Sequence, residues 1–194
     1  MPAKKINNNL LRPLAIVIVI ALIITGWVIY DHNKTTILKT SLYTSSAYDF
    51  TIAYPGTPKA VHTTKTVDNI SAQTTYISSS VENNAQHFEI YASNLPQITQ
   101  YNALPAKQKV TALNTGIDSA ITVLLSATAI KNTSISFLGT KAVDADFKTS
   151  VKNRNINGFG RAFVLGHSEY LLISTGASRA NFLDFANSFK YTGK

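Results

Sequence analysis

The chain has 194 residues, of which 18 are basic, 10 acidic and none cysteine. That length suits one domain, or one domain with an appendage, and the missing cysteines exclude disulfides, thiolate catalysis, cysteine-held metals and a thioether-linked lipid. Three of the basic residues (Lys4, Lys5, Arg12) come first, which leaves the rest only mildly basic, and no Lys/Arg run with interleaved aromatics points to nucleic acid.

Leu14 to Tyr30 reads LAIVIVIALIITGWVIY, without a charge. At ~1.5 Å per residue a helix of that length spans roughly 26 Å, close to the ~30 Å of bilayer hydrocarbon. Leu14, Ile18 and Leu22 carry the apolar body of this predicted anchor, and Trp27 and Tyr30 suit the far interface. Lys4, Lys5 and Arg12 flank it on the leading side, so the positive-inside rule places the N-terminus in the cytoplasm and everything after Tyr30 outside. A cleaved signal peptide is the main rival; its apolar region would be unusually long, and Trp27 spoils the small-residue cleavage pattern at Thr25-Gly26-Trp27. A pilin-type leader would carry an early Glu in the apolar run, and none is present. The expected organisation is a cytoplasmic tail over 1–13, a plasma-membrane anchor over 14–30, a linker or stalk over 31–47, and an extracytoplasmic domain over 48–194.

Charged residues make up only 14% of the chain, and Thr, Ser and Asn fill the polar positions in the manner of strands and turns. Asp49 to Tyr54 alternates, with Phe50, Ile52 and Tyr54 on one face. Pro55-Gly56-Thr57-Pro58 ends that strand. Ala60–Val67, Ile70–Ser80 and Gln86–Ser93 follow as strands, the last with Phe88, Ile90 and Ala92 in step, and Asn83-Asn84 suits a hairpin turn. After Pro105, a first-turn proline, Val110, Leu113, Ile117, Ala120, Ile121 and Leu124 recur at helical steps. Strands resume at Ser134–Leu138 and Thr140–Thr149. Asn157-Gly158 predicts a type I′ turn between a strand ending near Asn155 and one over Phe159–Leu165. Gly166-His167-Ser168 turns again into Glu169–Ser174, and Ser178 caps a last helix with Phe182, Phe185 and Phe189 inward. Hairpins plus two helices read as an α+β fold, an antiparallel sheet flanked by helices.

Three stretches carry a family resemblance. Asp49-Phe50-Thr51-Ile52-Ala53-Tyr54-Pro55-Gly56-Thr57-Pro58 is similar to the opening F-x-I-x-(F/Y)-P-x-x-(P/W) of PsbP-like domains. Gly160-Arg161-Ala162-Phe163-Val164 with Glu169-Tyr170-Leu171-Leu172-Ile173 resembles their late hairpin, and Asn181 to Phe189 resembles their closing helix, which often ends in Ser-Phe. The resemblance runs over roughly residues 47–191 and implies an antiparallel sheet flanked by helices. In plants and cyanobacteria such domains are extrinsic partners of the oxygen-evolving complex, and related ones occur on bacterial exported proteins.

The candidate chemistry is sparse. His87 and Glu89 share a strand face and would supply two ligands of a metal site, short of the three or four that zinc needs, so a surface pair is the simpler reading. His167 beside Ser168 and Glu169 contains the types of a Ser/His/acid set, but neighbours in sequence rarely converge and no nucleophile elbow is present. Asp144 and Asp146, near Lys148, would contact a cation or partner, or simply line a solvated sheet face. Asn33, Asn69 and Asn132 begin formal glycosylation sequons. No cofactor is called for. The leading expectation is a non-catalytic, membrane-anchored binding or scaffold domain of the cell envelope with a protein partner. The alternatives are an envelope hydrolase whose site is assembled only by folding, and a binder of lipid or wall-polymer surfaces.

Overall fold

The computed structural model describes residues 40–67, 70–81, 85–95, 97–151 and 154–193. The predicted anchor and its basic flank, with Lys4, Lys5, Arg12, Leu14, Ile18, Leu22, Trp27 and Tyr30, lie outside the described residues, as do Asn33, Asn69, Asn83 and Asn84. Among the described residues no helix is long and apolar enough to cross a membrane.

Strands β1 (Thr40–Ser45), β2 (Phe50–Pro55), β3 (Lys59–Val67), β4 (Ile70–Val81) and β5 (Gln86–Asn94) lead to helices α1 (Ile98–Ala103) and α2 (Ala106–Leu125). Strands β6 (Thr128–Phe137), β7 (Thr140–Val151), β8 (Arg154–Leu165) and β9 (Ser168–Thr175) follow, then α3 (Arg179–Asn187) and β10 (Lys190–Tyr191). The large sheet is antiparallel throughout, with order β3-β4-β5-β9-β8-β7-β6. A smaller antiparallel sheet, β1-β2-β10, has β2 at its centre.

The period of two along each strand splits the core between the two faces of the large sheet. Leu171 and Ile173 of β9, Val143, Ala145 and Phe147 of β7, and Tyr91 of β5 pack with Leu113, Ile117 and Ile121 of α2. The alternate residues, among them Phe88, Ile90, Ala92, Phe163, Tyr170 and Leu172, pack with Phe50, Ile52 and Tyr54 of β2 and Phe182, Phe185 and Phe189 from α3 and its end. Phe50, Ile52 and Tyr54 are wholly buried, as their alternation predicts, and each such side chain contributes roughly 1.5–3 kcal/mol. Helix α2 covers β6, β7 and β8, one half of its face. Its N-cap is Pro105, one position before the first turn. Ser178 caps α3, accepting from the Asn181 amide at 3.1 Å.

Three expectations need correction. Asn157-Gly158 is not a turn. Both residues lie inside β8, opposite Lys148 and Phe147, and the chain reverses between Val151 and Arg154. Gly158 is there because the Phe147 ring lies where its Cβ would be, so cross-strand packing outweighs the local turn preference. Residues 40–45 are not stalk: Thr40–Ser45 pairs with β2 as β1, and Tyr43 packs against Phe50 and Tyr54. The strand at 134–138 begins earlier, at Thr128, with a bulge at Ile130. Helix α1 and strand β10 are additions to the predicted elements.

The two-residue turn with positive φ at both positions is Leu138-Gly139, at +49° and +78°, between Phe137 and Thr140. A leucine pays about 1–2 kcal/mol in that conformation. Leu138→Gly, at an exposed site, is therefore expected to raise unfolding stability by about 0.5–1 kcal/mol, read by urea denaturation.

Candidate functional site

The two aspartates named from the sequence face α3 and hold it to the sheet. Asp144 on β7 is directly opposite Arg161 on β8, and both are buried. The guanidinium donates to both carboxylate oxygens, Nε at 2.7 Å and Nη2 at 3.0 Å, and through Nη1 to Asn187 at the end of α3 at 3.0 Å. It also stacks 4.5 Å from the centre of the Phe137 ring. Asp146, two residues on, pairs with Arg179 at the start of α3. The two acids thus tie down both ends of one helix, and neither is left to hold a cation.

Beside that helix is an open cleft of about 220 Å³, between β2, the first residue of β1 and α3. Phe88 and Phe185, edge to face at 5.4 Å, make its floor. Gln86, Asn181 and Asp184 supply polar groups, and Thr40 stands at one wall. Asn181 Nδ2 donates to Gln86 Oε1 at 3.4 Å, and Ser188 joins α3 to β2 by accepting from the Ala53 amide at 3.0 Å. Asp184 is exposed and makes no ion pair among the described residues.

The opposite face of the sheet carries a second polar group. Glu89 on β5 accepts from the hydroxyls of Tyr76 and Tyr91, both at 3.1 Å. Burial raises the Glu89 carboxyl above its usual range, and the two hydroxyls partly oppose that rise. His87 shares the face and bonds Ser80 on β4 through Nδ1 at 2.9 Å. On the neighbouring strand β9, four residues from Ile173, the partner of Glu89, Glu169 is buried, and burial pushes its carboxyl up to about 8.

His167 is exposed in the two-residue turn between β8 and β9, where its carbonyl accepts from the Leu95 amide at 2.8 Å. Ser168 and Glu169, as strand neighbours, point to opposite faces of the sheet, so the three adjacent residues do not converge. Asn132, in β6, donates to Asp118 of α2 at 2.8 Å. Sequence reasoning missed Arg161, Asp184 and the tyrosines around Glu89. One signal was available: Asp144 and Glu169 are acids embedded in buried runs, Ala142-Val143-Asp144-Ala145 and Glu169-Tyr170-Leu171-Leu172, where a charge demands a partner or a proton.

No family model matches the chain, and no curated protein does. A protein of unknown function from Pseudomonas aeruginosa, PA94, is 14% identical with a TM-score of 0.35 over 73% of this chain and 85% of that one, too loose a likeness to bear on the fold. The solution structure of cyanobacterial PsbP (CyanoP) from Synechocystis sp. PCC 6803 aligns with a TM-score of 0.55 and 10% identity, covering 83% of this chain and 97% of that one. At that identity the likeness concerns the fold alone, and the fold it shows is PsbP-like, an antiparallel sheet with a few helices, as the motifs around Phe50, Gly160 and Phe189 imply.

Proposed function

We propose that this chain is a membrane-tethered binding domain of the cell envelope, which takes a basic side chain of a protein partner into the cleft beside α3. The uncharged run Leu14–Tyr30 with its basic leading flank supports the tether and the outward orientation. The observation that carries the binding reading is the cleft itself. Its phenylalanine floor suits a hydrocarbon stem, and Asp184, without an ion pair among the described residues, suits a charged head together with the Gln86 and Asn181 amides. The hydrolase alternative requires a histidine beside a carboxylate in a cleft. His87 and His167 do not line this one.

Site-specific photo-crosslinking on intact cells tests the reading. A photoreactive residue in place of Asp184 is expected to give a discrete adduct, and one in place of Thr122, exposed on α2 across the sheet, to give none. No adduct at Asp184, or equal adducts at both positions, removes the docking role. On the same cells external protease is expected to digest residues beyond Tyr30 and spare the first dozen; protection of the C-terminal part removes the tether and its orientation.

A further inference from the structure

Helix α1 is short and weakly fixed. Its first turn has no side-chain cap, and its approach is tied to the sheet by the Leu95 amide on the His167 carbonyl. What it buries is Tyr101, which packs in one cluster with Leu95, Val164 and Leu171. Val164 on β8 is directly opposite Glu169, Leu171 is two residues along β9 on the same face, and the Leu95–His167 bond sets the approach to α1 beside that end of β9. The Tyr101 hydroxyl is buried without a hydrogen-bond partner among the described residues. Glu169 is only 7% exposed. Its opposite residue on β5, Ser93, is already bonded to Thr74 at 2.8 Å and offers it no charge. The surrounding elements also carry Tyr91, Glu89 and His87 on β5, His167 in the adjoining turn, Arg161 on the other face of β8, Lys141 near the start of β7, and Lys107, Lys109 and Asp118 on α2. The Lys109 ammonium stands 5.6 Å from the centre of the Tyr101 ring.

We propose that Glu169 and Tyr101 form a proton-gated latch: α1 closes over the neutral carboxyl and is released when the carboxyl ionises. A carboxylate buried beside α1 without a cation is costly, and in the proposed open state water reaches it. Burial holds the closed-state carboxyl near 8, with Tyr101 pushed up to about 12 by its own burial and then by the Glu169 charge. A group raised in the closed state stabilises closure fully below its free value, ~4.3, and loses that advantage as pH rises toward 8. Opening of α1 should therefore become easier by about tenfold per pH unit across that window and level off above it.

Hydrogen exchange on the full-length chain in detergent, corrected for base catalysis, reads this at the amides of Leu95, Tyr101 and Leu104, which bond His167, Gln97 and Tyr101 carbonyls. The expected result is that tenfold-per-unit slope in the unaltered chain, a flat profile in Glu169→Gln, and slower exchange for amides of the β8–β9 pairing. Glu169→Leu gives the same reading if the amide variant does not fold. A flat profile in the unaltered chain, a slope that survives in either variant, or α1 amides exchanging in step with β8–β9 would each overturn the latch.

Discussion

Asp144→Ala is expected to destabilise the domain by about 3–5 kcal/mol, because it leaves a buried guanidinium with no counter-charge. The two side chains are only 4% and 7% exposed, so water cannot replace the lost carboxylate. Asn187, at 3.0 Å, and the Phe137 ring remain as partners for Arg161, but neither carries a charge. The loss should spread to α3, whose C-terminal end is held through that same guanidinium. A control separates charge from packing. Asp144→Leu combined with Arg161→Met removes both ions and fills the same space, and is expected to recover most of the stability. Urea unfolding of the three proteins decides it; a double variant no more stable than Asp144→Ala would mean that the pair is needed for its geometry and not merely for its neutralisation.

Phe189→Ala should cost a similar amount, about 3–5 kcal/mol, through cavity formation. Its ring is wholly enclosed, stacked on Phe50 at 5.2 Å and edge-on to Phe163 and Tyr170 at 5.0 and 5.1 Å. The position follows α3 and precedes β10, so one side chain links the closing helix, β2 and the centre of the large sheet. For a domain of this size the loss corresponds to a fall in Tm of roughly 6–20 °C. Calorimetry of Phe189→Ala beside Phe189→Leu checks it, the leucine recovering part of the loss by refilling the space. A shift below a couple of degrees for the alanine variant would show that the surrounding rings collapse to fill the gap.

The sequence displayed those elements whose own residues determine them. β2 alternates strictly, β5 carries Phe88, Ile90 and Ala92 in step, α2 carries an apolar stripe, and Ser178 offers its helix a cap; each matches the structure to within a few residues. Elements decided by a distant partner were not legible. β1 is a half-exposed edge strand whose polar residues gave no period, and β10 is two residues long and exists only as a partner for β2. At Gly158 the local rule misled, since a glycine suited to a turn is equally suited to lying under a ring, and only the register with Phe147 decides between them. The site followed the same logic. Asp144 and Asp146 were visible as a pair on one face, but their arginine partners come 17 and 33 positions later. The lining of the cleft comes from β1, β2, β5 and α3 with its end, four separated stretches that only folding assembles.

The central strand of the small sheet sets an order of events for making this protein. β2 is flanked by β1 on one side and by β10 on the other, and the Thr192 amide closes the seam on the Asp49 carbonyl at 2.7 Å. The first and last strands of the domain therefore meet on one template, and that sheet is incomplete until the final residues arrive. A nascent chain still lacking them has an open edge and an unfinished aromatic core. Such a chain cannot complete its small sheet, so the domain locks into shape only once Lys190 to Thr192 have been made.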